Sequence, residues 1–176
     1  MTLPNPISLL GVNMLFVAAV LYIIGLSAQG KVGAKETAAM CILTGSTNVL
    51  SGFYDGFIMG DPATMAASFL FGFTYFYYAF NLLSKAETST GLGNYCLFVV
   101  ITAIPYFIVN AKAGAWILAF FWFLWGQLWA VYWIVNGLKK NLGKFVAYDT
   151  YFTAIINLLV AFCFIFGWAN FYGFTF

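Results

Sequence analysis

The sequence predicts an all-α integral membrane protein, in which residues 1–176 form a single transmembrane domain of six helices with both termini outside. Composition is the first observation, because 64% of the residues are hydrophobic and 7% are charged. Soluble domains are about 45–50% apolar and about 25% charged, so the surface of this chain is expected to face lipid. The second observation is the spacing of the apolar runs, and the third is the distribution of lysines among the loops.

Apolar runs long enough to cross a bilayer, about 20 residues, are separated by short polar or glycine-containing segments. The predicted spans are residues 7–28, 37–59, 63–83, 95–109, 115–135 and 145–168. Pro105 predicts a kink in the fourth span, since proline lacks the backbone N–H that a helix needs. The intervening loops are too short to hold a further domain.

The lysines predict the orientation of these spans. The first, third and fifth loops contain Lys31, Lys35, Lys85, Lys139, Lys140 and Lys144. The second and fourth loops together contain a single lysine, Lys112. Because cytoplasmic loops carry an excess of basic residues, the odd-numbered loops are expected in the cytoplasm and both termini outside.

The residue types exclude several classes of function. The chain has no histidine, and its three cysteines lie far apart inside apolar runs, so we expect no metal and no cofactor. The sequence shows no plausible nucleophile–base pair and no glycine-rich phosphate loop, which predicts that the protein is not an enzyme. A net charge of +2 without a basic stripe gives no basis for binding nucleic acid.

Tryptophans form a row on the fifth span. Trp122, Trp125 and Trp129 are spaced at i, i+3 and i+7, which places them on one face of a helix. Trp125 and Trp129 lie toward the middle of the membrane, where an indole N–H needs a partner. The row predicts either helix packing or a pore lining, and the pattern leaves both open.

The third span offers a second candidate surface. Phe73, Tyr77 and Asn81 are spaced four residues apart, which aligns a ring, a phenol and an amide in one column. Tyrosine hydroxyl groups are costly in hydrocarbon unless they are hydrogen-bonded or wetted. This column predicts either a polar network between helices or a permeation path.

A nearly uncharged bundle with two aromatic faces suits a small, neutral, planar and polar solute. Ions would find nothing to replace their hydration shell. Asp55 and Asp149 are expected near the headgroups and Asp61 in an outer loop, with Asp55 and Asp61 in contact with water. No acid is expected at mid-membrane, which argues against a proton-coupled carrier and against a charged ion filter.

Three segments resemble the AmiS/UreI family of urea and short-chain amide channels. Residues 70–81 resemble its LFGFTYLY…N signature, and residues 122–129 resemble its W-x-x-W-G-x-L-W signature. Residues 142–145 match the LGKF that opens the sixth span of the family. The resemblance covers nearly the whole chain, with similar spacing between the motifs.

The resemblance implies a passive channel that conducts urea or a small aliphatic amide, such as acetamide or formamide. Such a channel would cross the bacterial cytoplasmic membrane and supply a cytoplasmic urease or amidase. Members of the family are homohexamers with one pore in each six-helix protomer. By position, the family's pore-lining and constriction residues match Leu10, Met14, Phe73, Tyr77, Trp122, Trp125, Leu128 and Trp129, with the polar residue Asn81 beside them.

Two departures from the family pattern bear on gating. The acid-gated urea channel carries a glutamate in its sixth span, and Thr153 takes that place on the expected substrate path. That channel also has a long outer loop with titratable histidines, whereas residues 60–64 form a short loop in this chain. Because histidine is the side chain that titrates unperturbed between about pH 5 and 8, we expect a channel that acid does not switch.

A second hypothesis comes from a different class of protein. The tryptophans and tyrosines would equally serve a non-transporting membrane subunit that binds a quinone or a lipid between its aromatic helices. Measured solute flux distinguishes this hypothesis from the channel.

Overall fold

The computed structural model describes residues 6–86 and 89–166, and the side chains from residue 9 onward. The described residues form six α-helices: α1 Pro6–Ala28, α2 Ala34–Phe53, α3 Pro62–Leu83, α4 Thr90–Lys112, α5 Trp116–Asn136 and α6 Phe145–Ile165. A π-helical turn, Tyr54–Ile58, continues α2. Each predicted span therefore corresponds to one helix, and residues 167–168 of the sixth predicted span lie outside the described residues.

The largest boundary difference is in α4. It begins at Thr90 and ends at Lys112, whereas the predicted span covered residues 95–109. Polar residues at its start had suggested a loop, but the Ser89 hydroxyl donates to Asn136 Oδ1 of α5 at 2.8 Å and holds this end of α4 in place. Pro105 lies inside α4 without ending it.

The helices pack as a closed ring in chain order, with α6 against α1. Three pairs are tight, namely α1–α6, α2–α3 and α4–α5. Glycines permit these close approaches: a Cβ on Gly93 would meet the backbone of Gly137, and a Cβ on Gly45 or Gly72 would meet the other's carbonyl oxygen at 3.1 Å. The small residues Gly45 and Gly52 thus pack against α3 of the same chain.

Helix α2 has its polar face inside the bundle. Thr44, Asn48 and Ser51 are buried, whereas Leu43 and Leu50 are exposed. A helix on the surface of a soluble protein shows the opposite pattern, so the surrounding solvent is lipid. Four described segments are long and apolar enough to cross a membrane: 9–28, 90–112, 116–137 and 145–165. The chain is therefore a multi-pass membrane protein. Helix α2 is not among these four segments, because its inward polar residues lower the mean hydropathy of the helix.

Asp55 differs from its expected exposure. As its position in the sequence suggested, Asp55 lies at the end of the second span, in the π-helical turn that continues α2. Its side chain, however, is only 5% exposed. This turn packs against α3 as well as α2, so neighbouring helices cover the carboxyl group. The expectation that water surrounds Asp55 was wrong, because a π-helical turn packed by tertiary contacts is not visible in the sequence.

Candidate functional site

Two cavities lie one after the other inside the ring. The upper cavity has a volume of about 440 Å³ and lies toward the loops that precede α3 and α5. The lower cavity has a volume of about 40 Å³ and lies toward the opposite loops. Helices α1, α3, α4 and α5 contribute residues to both cavities. Successive turns of these four helices therefore line the two cavities in order along the bundle.

Three residues border both cavities and separate them. Val17, Phe71 and Trp125, which we call the neck, are all buried. The Phe71 ring centroid lies 4.7 Å from that of Trp125, in an edge-on arrangement, and 4.7 Å from that of Trp129. The neck is thus an aromatic and aliphatic constriction without a charged group.

A hydrogen bond to α6 holds the indole of Trp125 in place. Its Nε1–H donates to Oδ1 of Asn157 on α6 at 3.3 Å, and Asn157 Nδ2 donates to the Thr153 carbonyl at 2.8 Å. Asn157 is fully buried, so this contact meets the need of a buried indole for a partner. The contact also ties α6, which lines neither cavity, to the neck.

The upper cavity combines polar side chains with a flat aromatic wall. Asn13, Asn48 and Ser68 line it from α1, α2 and α3. On α4 and α5, the rings of Tyr106 and Trp122 are stacked with centroids 4.2 Å apart and an interplanar angle of 15°. The Tyr106 hydroxyl is fixed because it donates to the Ala63 carbonyl at 2.7 Å.

Among the described residues on the wall of the upper cavity, Asp61 is the charged one. Its Oδ1 accepts from the backbone N–H groups of Ala63 and Thr64, and its Oδ2 accepts from the Thr64 hydroxyl at 2.6 Å. These bonds cap the N-terminus of α3 and lower the pKa of the Asp61 carboxyl below its usual 3.8, with the hydroxyl of Thr64 as the largest cause. Asp61 is therefore ionised throughout the neutral range.

The lower cavity is small and has two kinds of wall. Aliphatic side chains line it at Val17, Leu21, Ile24, Leu92 and Leu128, and hydroxyl-bearing side chains line it at Thr74, Tyr75, Tyr78 and Tyr132. The Tyr132 hydroxyl lies 3.0 Å from that of Thr150 on α6. None of the described residues that border this cavity is charged.

The structure brings six of the expected site residues together along the two cavities: Leu10, Met14, Trp122, Trp125, Leu128 and Trp129. Four others border neither cavity. Phe73 is 47% exposed and Tyr77 is 37% exposed on the outside of the bundle. Asn81 lies in the last turn of α3, and Thr153 is buried behind the neck.

The reason for the difference on α3 is that two of its faces are aromatic. Phe71, Tyr75 and Tyr78 face the lower cavity, two residues out of phase with Phe73 and Tyr77. A rotation of about 200° for two residues moves a side chain to the opposite face of a helix. Small residues offered a signal, since Gly72 and Ala79 are buried close to the inward face.

Sequence reasoning also missed the polar residues of the upper cavity. Asn13 stands alone in a very apolar helix, and Asn48 lies near the middle of α2. Carboxamides inside membrane spans are costly, so they are more often functional or bonded between helices. Their position in otherwise apolar spans was the available signal.

Comparison with known proteins agrees with the resemblance. The family model for AmiS/UreI family transporters matches residues 9–168. A Rhodococcus erythropolis protein described as the transporter AmiS2 is 32% identical over 143 residues, covering 78% of this chain and 69% of its own length. A Mycolicibacterium smegmatis protein described as a transporter of amidate substrates is 30% identical over 162 residues, covering 85% and 73%.

The acid-activated urea channel of Helicobacter pylori is similar in both sequence and structure. It is 29% identical over 171 residues, covering 78% of this chain and 87% of its own. Its cryo-EM structure in the closed state matches with a TM-score of 0.81 at 27% identity, over 89% of this chain and 97% of that one. The crystal structure of the Helicobacter pylori channel gives 0.77 at 29% identity, over 90% and 98%.

These matches confirm the resemblance found in the sequence motifs. The family consists of transporters and channels, so the protein is not an enzyme. This chain belongs to the AmiS/UreI family, a family of transporters for urea and amides.

Proposed function

We propose that this chain is a passive channel that conducts urea or a small aliphatic amide, such as acetamide or formamide. The observation that carries the proposal is the path inside the ring, in which the upper and lower cavities meet at Val17, Phe71 and Trp125. One water needs about 10–15 Å³ of such cavity volume, so the lower cavity of about 40 Å³ suits a solute of a few non-hydrogen atoms.

The chemistry of the path favours neutral planar solutes. Rings at the neck offer flat faces, and hydroxyl-bearing side chains of the lower cavity offer weak hydrogen bonds. Conduction requires several weak binding steps rather than one tight site. An ion would lose its hydration shell at the uncharged neck without replacement, so ions are expected to be excluded.

We further propose six membrane spans. Helix α2 with its π-helical turn covers residues 34–58, or about 37 Å at 1.5 Å per residue, which is long enough to cross a bilayer. The exposed apolar side chains on α2 and α3, such as Leu43, Leu50 and Phe80, support contact with lipid. The lysine distribution supports an orientation with the lower cavity toward the cytoplasm and both termini outside, and the membrane proposed is the bacterial cytoplasmic membrane.

The assembly proposed is a homohexamer with one path in each protomer. Its support is the family resemblance together with apolar surfaces on the outside of the bundle, where Phe73, Phe80, Phe98 and Ile101 are exposed. Inside the cell, the solute would supply a urease or an amidase. Family membership supports this channel over the quinone-binding subunit, since the named relatives are transporters.

Acid is not expected to switch the channel. The chain has no histidine, and the hydrogen bonds of Asp61 hold the pKa of its carboxyl below the neutral range. Asp55 is buried, so contact with water can no longer be used to argue that its carboxyl titrates normally. The proposal therefore rests on the absence of histidine and on the hydrogen bonds of Asp61.

Flux into proteoliposomes tests the function. Stopped-flow light scattering should show entry of urea or acetamide well above protein-free vesicles, with no increase in sodium permeability. Radiolabelled solute should reach the external concentration and stop, because a passive path cannot accumulate it. Rates equal to those of protein-free vesicles for every small amide would contradict the proposal.

A further inference from the structure

We propose that the upper cavity contains a binding site for solutes that carry N–H donors, formed by the side-chain oxygens of Asn13, Asn48 and Ser68. All three residues line this cavity, and all three are buried. The inference rests on the proposed channel function and specifies what the channel recognises. That feature is the NH₂ group shared by urea and primary amides.

Hydrogen bonds fix the orientation of the Asn13 carboxamide. The Ser51 hydroxyl donates its one hydrogen to the Asn48 backbone carbonyl at 3.0 Å. Ser51 Oγ is therefore an acceptor toward Asn13, whose Nδ2 lies 2.5 Å away. The amino group of Asn13 must face Ser51, and its Oδ1 is left without a hydrogen-bond partner among the described residues.

The Asn48 carboxamide is fixed in a similar way. Its Nδ2 donates to the Thr44 backbone carbonyl at 2.9 Å. A carbonyl can only accept, so the amino group must point there, and Oδ1 has no partner within the described part of the chain. Carboxamide oxygens of buried residues normally pair with protein, water or a ligand. Because Asn13 and Asn48 both border the upper cavity, an N–H group located there can supply the missing donors.

Ser68 and the aromatic wall complete the site. The Ser68 hydroxyl, on α3, makes no hydrogen bond to any described residue and is free to donate to a solute carbonyl. The stacked pair of Trp122 and Tyr106 provides a flat surface on the side formed by α4 and α5. Urea and primary amides carry the required groups: N–H donors for the two carboxamide oxygens, a carbonyl for Ser68 and a planar face for Trp122.

This arrangement implies discrimination by donor count. A site that pairs with N–H groups binds an analogue without them less tightly, because the hydrogen bonds to its acceptors are then lost. Acetamide has two N–H bonds, N-methylacetamide has one and N,N-dimethylacetamide has none. The upper cavity, at about 440 Å³, is large enough that size does not separate these three solutes.

Competition against labelled urea uptake in proteoliposomes tests the inference. Wild-type protein should be inhibited most strongly by acetamide and least by N,N-dimethylacetamide. Asn13→Leu or Asn48→Leu should raise the acetamide inhibition constant about threefold to tenfold, the range for losing one hydrogen bond, and the double variant should abolish the ranking of the three solutes. Ser51→Ala, which leaves both oxygens but frees Asn13 to rotate, should give a smaller rise.

Asn94→Leu is the matched control, since it removes an exposed carboxamide on α4 that borders neither cavity. Equal inhibition by all three amides in the wild type, or an unchanged ranking in a folded double variant, would overturn the inference. Intrinsic tryptophan fluorescence, titrated with the same amides in detergent, reports binding at Trp122 without transport. Donor-dependent binding without urea uptake would overturn the channel but keep the site, and uptake without donor-dependent binding would do the reverse.

Discussion

The upper and lower cavities lie end to end inside the ring but differ in size and chemistry. The upper cavity, about 440 Å³, is bordered by two buried asparagines, a serine and a stacked aromatic wall. The lower cavity, about 40 Å³, is bordered by aliphatic side chains and tyrosines. The difference indicates that the two cavities select solutes by different properties. The upper cavity selects by the number of hydrogen-bond donors, and the neck and the lower cavity select by size.

The comparison also shows how a bundle in lipid arranges its polar residues. Its outer surface needs only apolar side chains, so carboxamides and hydroxyls are concentrated inside, as on α2. On each of α1, α3 and α5, the inward face borders the upper cavity at one depth and the lower cavity two or three turns further along. A substitution on one face therefore affects donor selection or size selection according to its depth.

The largest expected effect comes from filling the lower cavity. Cys96→Phe places a ring in a space of about 40 Å³ and should lower urea flux more than tenfold, while leaving amide binding in the upper cavity unchanged. Ile101→Phe, on the exposed face of the same helix, is the control and should leave flux unchanged. Stopped-flow light scattering measures both. Normal flux in assembled Cys96→Phe protein would place the path elsewhere.

Widening the neck should alter size selection. Phe71→Leu removes the ring that contacts Trp125 and Trp129, so the flux of butyramide relative to acetamide should rise severalfold. Phe73→Leu makes the same change on the outward face and should leave the ratio as in the wild type. The two ratios are obtained from the same vesicles. A larger response to Phe73→Leu would mean that the outward face lines the path.

A smaller effect on flux is expected from breaking the hydrogen bond between Trp125 of the neck and Asn157 of α6. Trp125→Phe removes the N–H that Asn157 accepts, and Asn157→Leu removes the acceptor, so each should change urea flux about twofold to tenfold. Because both act through one bond, the double variant should resemble a single variant. Trp133→Phe combined with Asn157→Leu serves as the control pair. Additive effects for Trp125 and Asn157 would contradict a positioning role.

The smallest effects are expected for pH. Hydrogen bonds lower the pKa of Asp61, so its carboxylate stays ionised and urea flux at external pH 5 and 7.5 should agree within about twofold. Its capping contribution, about 0.5–2 kcal/mol, is fully present above the unfolded pKa near 3.8 and is lost as pH falls through the lower folded pKa. Asp61→Ala should thus lower the melting temperature at pH 7 but have little effect near pH 2. A severalfold rise in flux at pH 5 would instead point to the buried Asp55.

Sequence patterns located the helices and the cavity-lining face of α5 but not that of α3. Trp122, Trp125 and Trp129 share the inward face of α5, so spacing alone grouped them correctly. On α3, aromatic residues occupy opposite faces, and only packing against α2 through Gly72 determines which face is inside. The burial of Asp55 depends on a π-helical turn that packs against α3, a tertiary contact without a local signal.

The pairing of helices could not be predicted either. Alternation of tight and loose neighbours depends on which glycines meet across an interface, such as Gly93 with Gly137. Gly45 and Gly52 likewise both pack against α3. Small residues indicate close packing without identifying the partner.

The location of the path is the central claim, and anomalous diffraction with selenourea tests it most directly. Selenourea keeps both NH₂ groups of urea and carries a strong anomalous scatterer. Crystals soaked in it should show selenium peaks inside the ring, in the upper cavity between Asn13 and Trp122 and below the neck near Tyr75. Peaks confined to the outside of the bundle, beside Phe73 and Tyr77, would contradict the account.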